Sequence, residues 1–152
     1  MLLMFTACTG VSVPSQYTQS ESLPNIYPDY ADVTIPVNIA PLSFQLEQAD
    51  ADDAVVRFSC NDMELICGGL QARPDLSDWH ALAQKACGGD INVEVYARQS
   101  DQWTRYQPFA IHVSTDSIDP YISYRLISPS YVTYEELTLN QRCLENYDEQ
   151  VM

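Results

Sequence analysis

From Val33 onward the chain alternates apolar and polar residues in short runs, the pattern of strands with one buried face. Val33, Ile35, Val37 and Ile39 alternate with Thr34, Pro36 and Asn38. Pro36 has no N–H to give a ladder, so this strand is expected at a sheet edge. Pro41 breaks the run, and Leu42, Phe44 and Leu46 alternate with Ser43, Gln45 and Glu47 in a second strand. A third, Ala54–Cys60, turns Val56, Phe58 and Cys60 inward, and a fourth, Met63–Cys67, ends at Gly68-Gly69. Asp90–Gln99 is the clearest strand, with Ile91, Val93, Val95 and Ala97 on one face and Asn92, Glu94 and Tyr96 on the other. Trp103–Tyr106 pairs back, Phe109, Ile111 and Val113 form another inward set, and Ile122, Tyr124 and Leu126 form the last.

One segment changes period. Leu76, Trp79, Leu82, Ala83 and Ala86 recur at helical spacing. Asp75 is a natural N-cap, Asp78 follows three residues on, and Gly88-Gly89 stops the helix. The expectation is therefore a mainly β protein with one inserted helix, about residues 75–87, and seven to eight short strands. Short strands at this spacing predict a β-sandwich of immunoglobulin or fibronectin type, and no βαβ rhythm suggests a doubly wound fold.

The ends carry a different pattern. Gly10–Asp32 is polar, contains Pro14, Pro24 and Pro28, and has no periodicity, so residues 9–32 read as a flexible tether before a sandwich over 33–127. Residues 128–152 read as a linker toward a domain beyond this chain, with Pro129 marking the exit from the sandwich. Tyr131, Tyr134, Leu137, Leu139 and Leu144 make that linker more apolar than a free tail, as expected of a segment that packs on a neighbour. The start, MLLMFTACTG, is similar to a bacterial lipobox, in which small residues precede a lipidated cysteine. It departs in having Phe5 where Leu is usual and in having a short apolar run without a basic leader, so residues 1–8 read as the remnant of a lipoprotein signal. A diacyl anchor on Cys8 would hold the protein on a membrane, with the membrane face unresolved.

Charge narrows the partners. Seven basic and 21 acidic residues give a net charge of −14, which repels a phosphate backbone and argues against nucleic-acid binding. Cys60 and Cys67 flank a candidate hairpin and fall on the apolar side of their strands. A cross-strand disulfide between them and a pair of buried free thiols are both open readings. The spacings of six, 19 and 55 residues between Cys60, Cys67, Cys87 and Cys143 match no zinc pattern. Asp50, Asp52 and Asp53 lack the further oxygens and the turn glycine of a calcium loop. His80 and His112 read as a helix-flank and an outward strand residue, and the adjacent Glu135-Glu136 pair does not face itself across a substrate as glycosidase carboxylates do. No catalytic residue and no cofactor is assigned. Tyr96, Trp103 and Tyr106 surround one hairpin. Exposed together they would make a stacking platform for a glycan; the favoured alternative has Trp103 closing the core and the tyrosines on its rim.

DPYISYRLISPSYVTYEELTLNQRCLENYDE resembles the N-terminal part of a family of Bacteroidetes envelope proteins, often labelled cytochrome c biosynthesis or TolB-like propeller proteins. YPDYADVTIPVNIAPLSFQL and WTRYQPF share the resemblance, which spans about Tyr27–Glu149. It implies an N-terminal β domain ahead of a c-type haem motif and a β-propeller. This chain has no C-x-x-C-H, so neither haem nor propeller function carries over, and the chain reads as the front module of a larger protein. The functional expectation is a non-catalytic, lipid-anchored envelope module acting as a spacer or docking domain for an envelope protein or its own continuation. A carbohydrate-binding module, and the front fragment of a haem-containing propeller protein, are the alternatives.

Overall fold

The structure is a computed structural model that describes residues 10–127 and 137–152. Its elements, in chain order, are β1 (Thr18–Gln19), β2 (Ile26–Tyr27), β3 (Thr34–Ile35), β4 (Phe44–Leu46), β5 (Asp53–Cys60), β6 (Met63–Gly68), β7 (Gln71–Ala72), α1 (Leu76–Lys85), β8 (Asp90–Gln99), β9 (Gln102–Arg105), β10 (Phe109–Val113), β11 (Tyr121–Leu126), β12 (Thr138–Cys143) and β13 (Glu149–Val151). The fold is a mainly β sandwich of open sheets with one helix, as the alternation predicts.

The long strand β8 is the spine of a seven-stranded sheet. One edge pairs along its length with β5, which pairs in turn with β6. The other edge is shared: Tyr96–Gln99 pairs with β9, and Asp90–Val93 with β10. Pro108 explains the division, because it has no N–H for the ladder between the two partners. Outside them lie β1, parallel to β9, and β3, parallel to β10. The edge position that Pro36 predicts for the first sandwich strand is therefore observed, although the strand is only Thr34–Ile35. The β8–β9 hairpin turns through Ser100 and Asp101, at φ of 49° and 63°, the two left-handed centres of a turn whose twist matches that of its strands.

A small sheet, β2-β4-β7, and helix α1 cover one face of the large sheet. Three aromatic rings join the layers edge to face: Phe44 of β4 meets Phe58 of β5 at 6.1 Å, and Phe58 meets Trp79 of α1 at 5.8 Å. Trp79 is fully buried, and its indole N–H donates to the Ile39 carbonyl at 3.1 Å. Truncating such a residue costs about 3–5 kcal/mol. Asp75 caps the helix by accepting from the N–H groups of Ser77 and Asp78. Lys85 sits in its last turn and bridges Asp62 of the β5–β6 turn at 3.0 Å.

Three boundaries need correction. Gly10–Asp32 is not a tether: β1 and β2 join the two sheets, Ile26 is 6% exposed, and Tyr17 packs on Tyr96 at 5.3 Å. Its irregular polar sequence hid this, because two-residue strands show no periodicity. Strand β11 is not the last strand of the sandwich but the edge of a separate three-stranded sheet, β11-β12-β13. Ile122 and Leu126, expected inward, are 47% and 51% exposed. The part of 128–152 that is described is likewise no linker, since β12 and β13 complete that third sheet. These added elements also raise the strand count above the seven or eight expected.

Candidate functional site

The third sheet is built on β12, with β11 and β13 antiparallel on its two sides. Cross-strand partners share a face, so Ile122, Tyr124 and Leu126 lie with Thr138, Asn140 and Val151. Tyr121 and Arg125 lie with Cys143 and Leu139 on the other face. Only Asn140 and Cys143 are buried among the described residues of its strands. Large apolar side chains stand out on both faces: Ile122, Leu126 and Val151 on one, Tyr121 and Leu139 on the other, all between 47% and 67% exposed. The edge of β11 away from β12 carries no described strand. A strand edge with free N–H and C=O groups, flanked by exposed apolar residues, is a template for added backbone.

The segment after β3 holds this sheet to the sandwich. Ala40 N–H donates to the Leu144 carbonyl at 2.8 Å, and the Tyr147 hydroxyl donates to the Pro41 carbonyl. Asn38 donates from its amide to Glu145 at 2.8 Å and to the Ile118 carbonyl at 3.0 Å, while its own side-chain oxygen accepts from Ile118 N–H at 2.9 Å. Asn38 is thus saturated by the crossing it stabilises. Its place between apolar Val37 and Ile39 gave no sign of that role in the sequence.

The hairpin aromatics do not assemble. Tyr96 and Tyr106 are 3% and 9% exposed, and they lie on opposite faces: Tyr106 joins the core, whereas Tyr96 is covered by Tyr17 on the outer face. Trp103 is half-buried beside the Arg98 guanidinium, 5.6 Å from the ring centre. The platform for a glycan is therefore absent, because the N-terminal segment crosses the outer face where it would lie. Val11 seats against Gly68, where a Cβ would approach its methyl group to 2.8 Å. On the same outer face as Tyr96, Glu94, 6% exposed, is held between Arg57 at 3.0 Å and Arg105. Arg57 also reaches Glu64 at 2.8 Å. Desolvation lowers the Arg57 pKa, and the hydrogen bonds and charges of Glu64 and Glu94 outweigh it and raise the value above the ordinary one. Glu94 is the buried member of this cluster, and its removal would leave Arg57 and Arg105 without their shared partner.

The Cys60–Cys67 bridge is not formed. Both residues face the apolar layer as expected, but Cys60 pairs with Met63 and Cys67 with Val56, and both are free thiols. Val56 and Cys60 are four residues apart on β5, which places the cysteines about 13 Å apart along the ladder, beyond disulfide reach. Burial raises the Cys67 pKa and keeps its thiol protonated. His112 is outward, as its strand position implies, but it lies between Asp32 and Asp90. Cys8, Pro129, Tyr131, Tyr134 and the Glu135-Glu136 pair lie outside the described residues. Among the described residues no three histidine, cysteine or acidic side chains converge on a cation position, and no helix is long and apolar enough to cross a membrane. Comparison with protein-family models, with curated proteins and with solved structures finds no match to this chain.

Proposed function

We propose that this chain is a non-catalytic docking module of the cell envelope, held at a membrane by a lipid on Cys8, and that the β11-β13 sheet receives its partner. The observation that carries the docking reading is the third sheet itself: apolar side chains about half exposed or more on both faces, beside a strand edge free of any described partner. Apolar surface arranged in this way marks interaction sites. The occupant this geometry favours is an extended segment or sheet edge of another envelope protein, which adds backbone hydrogen bonds to β11 and covers Ile122 and Leu126. The acidic surface of the chain sets the sign of its selection against phosphate-rich partners. The anchor reading is supported by the small residues Thr6 and Ala7 before Cys8.

The test is site-specific photo-crosslinking in the cells that make the protein. A crosslinker at Ser123 on the β11 edge should trap a partner, and one at Asp101, at the tip of the β8–β9 hairpin, should not. Equal adducts from both positions, or none from Ser123, would remove the docking reading. The mass of the protein from the same cells decides the anchor separately: Cys8 should be N-terminal and diacylated, and an unmodified Cys8 ends that part.

A further inference from the structure

His112 connects three separate lines of the chain. Its Nδ1 lies 2.6 Å from a carboxylate oxygen of Asp90, at the start of β8, and its Nε2 lies 2.8 Å from one of Asp32, in the turn before β3. A neutral imidazole has one ring proton, so it donates to one carboxylate and sets a lone pair against the other. Imidazolium donates to both, and each bond is then charge-assisted. The ladder neighbour on β3 is Thr34, and the next outward residue on β8 is Asn92. Among the described residues, the charged groups that face the ring are therefore Asp32 and Asp90. Their hydrogen bonds, that of Asp32 first, raise the His112 pKa above its ordinary value.

The turn held in this way opens the segment that carries the third sheet. Asp32 N–H donates to the Ala110 carbonyl at 3.0 Å, His112 N–H to Val33 at 2.9 Å, and Ser114 N–H to Ile35 at 2.8 Å. A few residues on, Asn38, Ala40 and Pro41 of the same segment make the bonds that fix Ile118, Leu144, Glu145 and Tyr147.

We propose that protonated His112 is a clasp that locks Asp32–Pro41 onto the large sheet and so sets how firmly the β11-β13 sheet is presented. This deepens the docking reading by naming its regulation, and takes only its biological meaning from that reading. The sign follows from the raised pKa: the clasp is fully present below the value of an unfolded histidine and is lost as pH rises through the folded value. Below that window the third sheet is held rigidly, and above it loosely.

The experiment is residue-resolved amide exchange on the whole chain across the His112 titration, corrected for the intrinsic pH dependence of exchange. His112 ring resonances give the midpoint. Protection at His112 and Ala40 should fall through that midpoint, approaching tenfold for each unit by which it exceeds that of a free histidine. The Tyr106 amide, bonded to Val95 away from the clasp, serves as reference and should not follow. Asp32→Asn keeps a residue type that tolerates the left-handed φ of 60° at this position and removes one charge, so it should flatten the profile. Flat protection at His112 and Ala40 in the native protein, or an unchanged profile in Asp32→Asn, would overturn the clasp. Failure of crosslinking from Ser123 with the profile intact would instead remove the docking reading alone.

Discussion

At Cys60 and Cys67 the sequence carries the side of the strand but not the partner across it. Alternation places both on the apolar face, and both are there. Register depends on the length of the intervening turn, and the Asn61-Asp62 turn, with Asn61 at φ 52°, sets Cys60 opposite Met63. A prediction follows for the thiols. Under mild oxidation no bridge between Cys60 and Cys67 should form, and Cys87, the exposed cysteine among the described residues, should alkylate well before Cys67 and the buried Cys143. Peptide mass mapping after a timed alkylation checks both points, and a Cys60–Cys67 disulfide recovered from the native protein would contradict the register. Glu94 shows the converse limit. Its outward position in β8 is legible, yet its partners are two arginines from neighbouring strands, one of them Arg57, 37 residues earlier. No local pattern encodes a partner supplied by another element.

The N-terminal segment is the element whose role differs most from its appearance. Gly10–Gln19 has no strand alternation, but it crosses the outer face of the large sheet from β6 to β9. Its hold comes from a few contacts: Val11 on Gly68, Tyr17 edge-on to Tyr96, and two ladder positions at Thr18 and Gln19. An aromatic pair of this geometry contributes about 0.5–1.5 kcal/mol beyond its buried area. Tyr17→Ala should therefore lower the stability measured by urea unfolding by about 1 kcal/mol or more. Gly68→Ala should destabilise the native chain through Val11 and cost less when Val11 is alanine, a coupling that a double-mutant cycle reads directly. An unchanged urea midpoint in Tyr17→Ala would mean that the segment is the tether its composition suggests. By contrast, the spans of α1, β5, β6, β8 and β10 were legible in the sequence, because each is long enough for its period to show, and α1, β6, β8 and β10 are bounded by glycine, proline or a capping aspartate.

For the molecule as a whole, the sequence conveyed a β-sandwich with one helix and missed how its ends are used. Both ends were expected to lie outside the domain. One instead covers the outer face of the large sheet, and the other forms a third sheet with exposed apolar residues. The same composition misled in both places: apolar residues without a buried face resemble a linker, and polar residues without periodicity resemble a tether. The central claim is that the third sheet is a docking surface whose firmness depends on the segment from Asp32 to Pro41. The measurement that tests it most directly is crosslinking from Ser123, made on the native chain and on an Ile122→Lys, Leu126→Lys variant. Both substituted side chains are about half exposed, so the variant should keep the native unfolding midpoint. Predicted is a discrete adduct in the native chain that disappears in the folded variant. An adduct that survives both lysines, or is equally strong from Asp101, would contradict the account.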